Sequence, residues 1–353
     1  MAEKIEIIGL SREDIASVLA EMGEKSFRVK QIWQWLYVQG AKSFEEMTNL
    51  SKDLRAKLKE RFILSRPKIV TEQISADKTH KWLLEFSDGQ RIETVFIPED
   101  DRGAVCVSTQ VGCAVGCKFC HTGSQKITRN LTAGEIVSQF MLVKDVYGEW
   151  PSSSGENRLV SNIVVMGMGE PLHNVENIIK ALNIVTDNDG LAVSKRRITL
   201  STSGIVPNIP RIAKETGVKL AISLHASNNE KRSQIMPINN RYKIEEILAA
   251  CQEYQKIVTS RYITFEYLML DGFNDTMQDA QELIALMRKY KIGAKFNLIP
   301  FNPWPGCDYK PSSNNRIHAF SRELEKAGFA APVRVARGQD ILAACGQLKS
   351  QKH

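Results

Sequence analysis

No apolar run in the 353-residue sequence approaches the roughly 18 residues needed to cross a bilayer. The opening Met1-Ala-Glu-Lys-Ile-Glu6 lacks the basic end and apolar stretch of a signal peptide. Cysteine is scarce and odd in number, seven in all with three tightly clustered, which is not the pattern of a secreted disulfide framework. No internal repeat or low-complexity tract stands out. These absences point to the cytoplasm, where a reducing environment suits clustered thiols, and to no membrane association. The apolar share of 43% and charged share of 25% are those of a folded soluble protein, long enough for two or three domains. A net charge of +7 is compatible with a polyanionic partner but does not establish one.

The first 70 or so residues read as helices. Ser11 with Asp14 resembles an N-cap with an acid in the first turn, and Ser43 with Glu46 fits a capping box. Leu54, Leu58 and Phe62 form an amphipathic stripe, and Trp33, Trp35, Leu36 and Tyr37 a core patch. Arg28, Lys30, Lys52, Arg55, Lys57, Lys59 and Arg61 form either a solvated helix face or an RNA-docking face. From 80 to 98 the period switches to two, with an Asp88-Gly89 turn between strands at 82–86 and 91–97. Glu93 shares a strand face with Val95 and Ile97, and pattern alone favours an exposed sheet edge for it over a buried, proton-accepting position.

From residue 104 strands and helices alternate, predicting a parallel α/β sheet. Candidate strands are Ala104–Ser108, Val160–Met166, Arg197–Ser201, Val218–Leu224, Tyr262–Leu270, Ala294–Ile299 and Pro332–Val335. Thr132 and Glu135 form a capping box ahead of one helix, and a second helix is expected over Met277–Tyr290. Six strands lead into polar loops bearing Gly or Pro: the cysteine loop, Gly167–Pro171, Ser201–Gly204, Ser223–Ala226, Asp271–Asp275 and Pro300–Pro305. In a β/α barrel such loops converge on one rim, where active sites form. Gly167 and Gly169 allow backbone close to a ligand. Glu170 could take an ammonium or a ribose, or could simply start a helix. Ser201, Ser223 and Asn302 suit ribose or carboxylate groups, whereas His225 reads more readily as structural. Lys195-Arg196-Arg197 is either a phosphate site near the rim or an ordinary surface cluster.

The cysteine loop, Gly112-Cys-Ala-Val-Gly-Cys-Lys-Phe-Cys-His121, has no obvious fourth ligand. A closed zinc site takes four, and so does a ferredoxin-type cluster. Cys113, Cys117 and Cys120 therefore suggest an iron–sulfur cubane with one iron left open. A structural zinc completed by His121 or Cys106 is the alternative. Cys251, in a helical pattern, reads as a small buried hydrophobe. Cys345, flanked by Ala344 and Gly346, reads equally as buried or as reactive.

Cys-x3-Cys-x2-Cys after the first strand of an incomplete barrel resembles the radical S-adenosylmethionine (SAM) superfamily. Nearly the whole chain is similar to its adenine-C2 RNA methyltransferases, on Ile92–Pro98, Cys113–Cys120, Gly167–Pro171, Leu200–Gly204, Ser223–His225, Asn297–Pro300 with Asn302-Pro303, and Ala344–Leu348. The resemblance implies a partial (β/α)6 barrel over 104–330. Around it would lie a helical accessory domain over 1–72 that binds RNA, a β-hairpin linker over 73–103 and a C-terminal extension over 331–353. It implies that Cys113, Cys117 and Cys120 hold a [4Fe-4S] cluster. Gly169, Glu170, Ser201, Ser223, Leu224, His225 and Asn302 match SAM-binding positions, and two SAM molecules would be used per turnover. Cys345 matches a cysteine that is methylated and carries the carbon to RNA. Cys106 matches the thiol that resolves the adduct through a transient disulfide, and Glu93 matches the proton acceptor, which reverses the edge preference for it. The implied substrates are 23S rRNA, in the peptidyl-transferase region, and tRNA, beside the anticodon, with a flavodoxin-like electron donor and a monomeric enzyme. The nearest rival is the sister family that methylates the same rRNA adenine at C8. A rival of another class is a zinc-stabilised, non-catalytic RNA-binding protein.

Overall fold

The computed structural model describes residues 4–152, 158–259 and 262–350. Residues 1–3 and 351–353, the outer ends of the expected first and last segments, lie outside the described residues. The N-terminal unit is closed by two short parallel strands, β1 (Ile5–Glu6) and β2 (Phe62–Ile63). Between them run α1 (Arg12–Glu21), α2 (Phe27–Tyr37) and α3 (Lys52–Arg61). Ser11 and Asp14 form a complete capping box on α1. The box expected at Ser43 and Glu46 is not made: Glu46 accepts from Lys42 N–H, not from Ser43 N–H. Ser43 Oγ donates to Glu46 instead of accepting from a backbone N–H, and the segment stops after one 3-10 turn. Trp33, Leu36, Tyr37, Leu54 and Leu58 are buried as expected, while Trp35 is half-buried with its indole N–H on Asn49.

This unit is fastened to the barrel side of the molecule. Gly9, at φ +93°, packs so closely on Gly134 that a Cβ would lie 2.1 Å from its nitrogen. Arg12 grips Asp187 through two nitrogens at 2.9 and 2.7 Å, and the Tyr37 hydroxyl accepts from Gly9 N–H.

The main sheet opens with an antiparallel meander, β3 (Lys68–Ile74), β4 (His80–Glu85) and β5 (Arg91–Pro98). It continues through β6 (Gly103–Cys106), then a small hairpin of β7 (Gln110–Val111) and β8 (Arg129–Asn130), and α4 (Ala133–Tyr147). Next come β9 (Val160–Val165), α5 (Val175–Thr186), β10 (Ile198–Thr202), α6 (Ile209–Glu215) and β11 (Lys219–Ser223). Helices α7 (Asn229–Ile235) and α8 (Ile244–Ile257), β12 (Ile263–Met269), α9 (Met277–Lys289), β13 (Ala294–Pro300) and α10 (Asn314–Lys326) complete the set. The order across the nine strands is β13-β12-β11-β10-β9-β6-β5-β4-β3. The six from β6 to β13 are mutually parallel. Each new strand adds at the same side, with helical crossovers linking them, as in a β/α barrel left open.

The expected hairpin over 73–103 is thus no free linker. β3 begins at Lys68, and β5 pairs with β6, so the meander extends the barrel sheet itself. Glu93 therefore sits on an interior strand, and the edge expectation for it fails. The seventh candidate strand, Pro332–Val335, makes only isolated bridges beside β13. Pro332 has a carbonyl that accepts from Leu298 but no N–H to return. No helix among the described residues is long and apolar enough to cross a membrane.

Candidate active site

Every parallel strand sends residues to one cavity at its C-terminal end. The cavity is lined by Cys113, Cys117 and Cys120 after β6, Gly167, Gly169 and Glu170 after β9, and Ser201–Ser203 of the β10 end. Ser223 and His225 follow from β11, Glu266 and Leu268 from β12, Ile299 and Phe301 from β13, and Cys345 with Gly346 from the C-terminal segment. The fifth loop, Asp271–Asp275, does not reach it. Asn274 donates instead to the carbonyls of His225 and Leu268, and Asp275 pairs with Arg316. The basic Lys195–Arg197 turn precedes β10 and so lies at the opposite end of the strands from this cavity. A phosphate role near the rim is thereby removed.

The cysteine loop is shaped by backbone contacts that leave its thiols to the cavity. Lys118 N–H donates to Ile235 O at 3.0 Å, His121 N–H to Gly346 O at 2.7 Å, and the Trp304 indole to Phe119 O at 2.9 Å. Burial pushes all three thiols up, Cys113 to about 12, and the neighbouring Cys120 and Cys113 add to the rise at Cys117. Such thiols ionise when a metal takes them. The donor set fits a cluster. Among the described residues no three His, Cys, Asp or Glu side chains converge as ligands of a single ion must, whereas a cubane binds each thiolate to its own iron. His121, the zinc reading's fourth ligand, turns away: its Nδ1 lies 3.1 Å from Gln347 O and its ring stacks on Trp304. Cys106, the other candidate, does not line the cavity.

Of the seven residues matched to SAM binding, Gly169, Glu170, Ser201, Ser223 and His225 line the cavity, and Leu224 and Asn302 do not. Gly169 stands at φ +100° with Gln110 Cβ 2.6 Å from where a side chain would begin, so only glycine fits. Glu170 serves both readings. Its carboxylate accepts from Leu172 N–H, Thr202 Oγ and Ser203 N–H at 2.7–2.9 Å, capping a short helix while facing the cavity. Asn302 is committed elsewhere, donating to Cys345 O at 3.3 Å and accepting from Gln339 at 2.8 Å. It holds the Cys345 segment.

His225 adopts φ +58°, and its Nδ1 accepts from Leu268 N–H at 3.1 Å. Burial first, and then the Arg232 charge, push its pKa down to about 3. With the folded value below the unfolded value of about 6.5, the stabilisation is complete above that pH and is lost as pH falls toward the folded value. The wild-type chain should therefore lose stability on acidification by up to about 1.4 kcal/mol per pH unit more than His225→Asn. Urea unfolding between about pH 7 and 5 measures the two slopes, and identical slopes would contradict this.

Two charged residues escaped the sequence reading. Arg232 is fully buried behind the cavity, donating to the carbonyls of Ser203, Ser223 and Leu224 and to Asn239. Glu266 is buried on β12, accepts from Asn297 at 2.9 Å, and has its pKa raised by desolvation. A lone Arg in a helix and a Glu in an apolar strand carry no spacing signal. Only the parallel register that sets Glu266 beside Ser223 reveals the second.

On the far side of the Cys345 segment lies a separate open cleft of about 1110 Å³. Glu93 is in its wall with Lys81, Arg91, His121, Lys126 and Lys349. Glu93 is buried, and desolvation raises its pKa against the lowering effect of Lys81. Cys345 lines the first cavity as an exposed residue, and partial desolvation by the surrounding wall, followed by the Glu266 carboxylate, raises its thiol pKa. Burial, with a contribution from Cys345, also raises the Cys106 thiol, and both cysteines are free.

A parallel six-stranded partial barrel with three thiols and a ligand cavity at its C-terminal rim is the architecture of a radical SAM enzyme, and the Radical SAM superfamily model matches residues 107–286. The model of the ribosomal RNA large subunit methyltransferase N-terminal domain matches residues 5–64. The dual-specificity RNA methyltransferase RlmN of Gluconobacter oxydans is 56% identical over 98% of this chain and 85% of its own. That of Rhodospirillum rubrum is 57% identical over 98% of this chain and 80% of its own. The crystal structure of a radical SAM methyltransferase from Sphaerobacter thermophilus superposes with a TM-score of 0.91 at 44% identity, covering 98% of this chain and all of that one. The chain belongs to the dual-specificity RNA methyltransferase RlmN family, and is a radical SAM enzyme using a [4Fe-4S] cluster and SAM.

Proposed function

We propose that this enzyme methylates C2 of adenine in 23S rRNA, in the peptidyl-transferase region, and in tRNA, beside the anticodon. The observation that carries the reading is one cavity shared by Cys345 and the three cluster thiols, with Glu93 across the same segment. When bound, the cluster and SAM supply the methyl group and the one-electron chemistry that an unreactive C–H carbon requires. Cys113, Cys117 and Cys120 hold the cluster. Gly169, Glu170, Ser201, Ser223 and His225 surround SAM, while Leu224 and Asn302 act through backbone and through the Cys345 segment. Cys345 accepts the methyl group on sulfur and carries its carbon to the base, forming a covalent protein–RNA adduct. Glu93 removes the C2 proton, a role that a buried carboxylate of raised pKa suits. Cys106 then attacks Cys345 sulfur as a thiolate. The S–S bond forms, the sulfur–carbon bond breaks, and the released carbon takes up a proton to become the methyl group. An external dithiol reductant returns the transient disulfide to two thiols.

The basic cleft supports entry of an RNA backbone on the Glu93 side, with the target base unstacked to reach the thiol. Residues 1–72 act as the RNA-binding accessory domain, 104–330 as the catalytic barrel and 331–353 as the arm carrying Cys345. Much of the N-terminal basic face is already paired: Lys57 with Glu24 and Asp53, Lys59 with Glu45, Arg61 with Glu21. Lys30 and Lys52, with no ion pair among the described residues, are its better candidates for phosphate. We assign the enzyme to the cytoplasm, as a monomer reduced by a flavodoxin-like donor. An anaerobic assay with reductant, SAM and unmodified rRNA or tRNA should give 2-methyladenosine in both RNAs, read by mass spectrometry. Methylation at C8 alone would overturn the assignment, and zinc without iron in anaerobically purified protein would restore the binding-protein reading.

A further inference from the structure

The segment carrying Cys345 is gripped at both feet by one buried ion pair. Lys81 on β4 and Glu93 on β5 meet at 2.9 Å, with side chains only 7% and 8% exposed. Lys81 Nζ also donates to Leu342 O at 3.3 Å, three residues before Cys345. The second oxygen of Glu93 accepts from Lys349 N–H at 2.8 Å, four residues after it. Leu342 stands at φ +54°, a left-handed conformation that a branched aliphatic residue seldom holds without an outside tie. Between Leu342 and Lys349 the other side-chain bonds, from Asn302, His121, Thr122 and Gln347, pair groups with no formal charge in this arrangement. Upstream, Asp77 accepts from Gly338 N–H and the Asp340 carboxylate accepts from Ala76 N–H. Among the described residues, however, the Lys81–Glu93 pair is the ionic tie to residues 342–349, and so the tie there most altered by a single proton.

We propose that Lys81 is a positioning residue for the methyl-carrying thiol. With Glu93 it forms a clasp that holds Cys345 toward the SAM cavity, and a proton arriving on Glu93 opens that clasp. The inference rests on the reading of Cys345 as carrier and Glu93 as proton acceptor. Cys345 must face the cavity to take up a methyl group and later bring its sulfur within bonding distance of Cys106. Taking the C2 proton converts Glu93 from carboxylate to acid, which removes the attraction to Lys81 and weakens acceptance from Lys349 N–H. The step that finishes the work on the base thereby loosens the arm that must move next. The groups facing Glu93 across the cleft, Arg91, His121, Lys126 and Lys349, are cationic or neutral. Lys81 is the one in direct contact.

Hydrogen–deuterium exchange on the cluster-loaded, RNA-free enzyme tests the clasp. Lys81→Met and Glu93→Gln should each speed exchange across 343–349 about tenfold or more, and the double variant no further. Lys81→Arg should retain most of the protection, and peptides of β10, β11 and β12 should be unchanged throughout. Unchanged exchange in Lys81→Met overturns the proposal. So does exchange that rises equally over the whole sheet, or singles that add fully in the double variant. The proton-acceptor reading fails separately. A Glu93→Gln enzyme that completes RNA methylation at the wild-type rate sinks that role while a loosened segment keeps the clasp. An inactive Glu93→Gln enzyme with normal exchange does the reverse.

Discussion

Cys345→Ala should form no methyladenosine, with turnover down by a factor on the order of 10³ or more, while its iron content stays at the wild-type level. The alanine enzyme keeps Cys113, Cys117 and Cys120 in the cavity wall and the Asn302 bond to the residue 345 carbonyl, so loss of product would trace to the sulfur alone. Cys345→Ser should be equally inactive. A hydroxyl neither ionises readily near neutral pH nor leaves when a second thiol attacks, whereas sulfur serves as nucleophile, bridge and leaving group in turn. Cys106→Ala should behave differently, accumulating about one equivalent of RNA bound to Cys345 and releasing almost none. Its thiol lies buried on β6 beside β9, where desolvation disfavours the thiolate. Denaturing gel mobility with radiolabelled RNA separates the two variants. Product from Cys345→Ala at more than a few per cent of the wild-type rate would remove the methyl-cysteine route, and a Cys106→Ala enzyme that turns over freely would remove the disulfide step.

The parallel strands and their rim were legible because each is a buried apolar run that ends abruptly in Gly, Ser or Pro. The three thiols were legible because their spacing is local. What pattern alone missed depends on long-range pairing. Glu93 looked like an edge residue because alternation in one strand says nothing about its neighbours, and only the β4–β5–β6 pairing makes that strand interior. The family resemblance restored Glu93, but not Lys81, whose importance comes from a diagonal contact across β4 and β5. Asn302 kept its place in the matched motif yet spends its amide on the Cys345 segment. Pro332 shows the converse: a stretch with strand-like alternation that reaches β13 only through isolated bridges, because Pro332 offers no N–H to extend the ladder and Val335 is exposed.

Arg232→Met should destabilise the enzyme by about 3 kcal/mol or more and weaken its hold on iron. Arg232 is 0% exposed, so whatever it bonds is cut off from water. Nε donates to Leu224 O at 3.1 Å, Nη1 to Asn239 at 3.0 Å, and Nη2 to Ser203 O and Ser223 O at 2.6 and 3.1 Å. Methionine fills much of the volume but leaves these acceptors unpaired, and each such buried group costs about 1–3 kcal/mol. Lysine should rescue only in part, because a point charge cannot address four acceptors as the planar fork does. Three of those carbonyls sit where β10 and β11 turn into the cavity wall, so the loss falls on the frame of Ser201, Ser223 and His225. The electrostatic consequence reaches the cluster. Desolvation depresses the Arg232 pKa to about 10, and Cys117 and Glu170 act in the opposite sense, favouring its charge. By reciprocity that charge favours the Cys117 thiolate, the form that binds iron. Urea unfolding, together with the iron retained per chain after anaerobic gel filtration, should fall in Arg232→Met and recover partially in Arg232→Lys. A variant with wild-type stability and full iron would mean that the buried guanidinium neither frames the rim nor steadies the cluster thiolate.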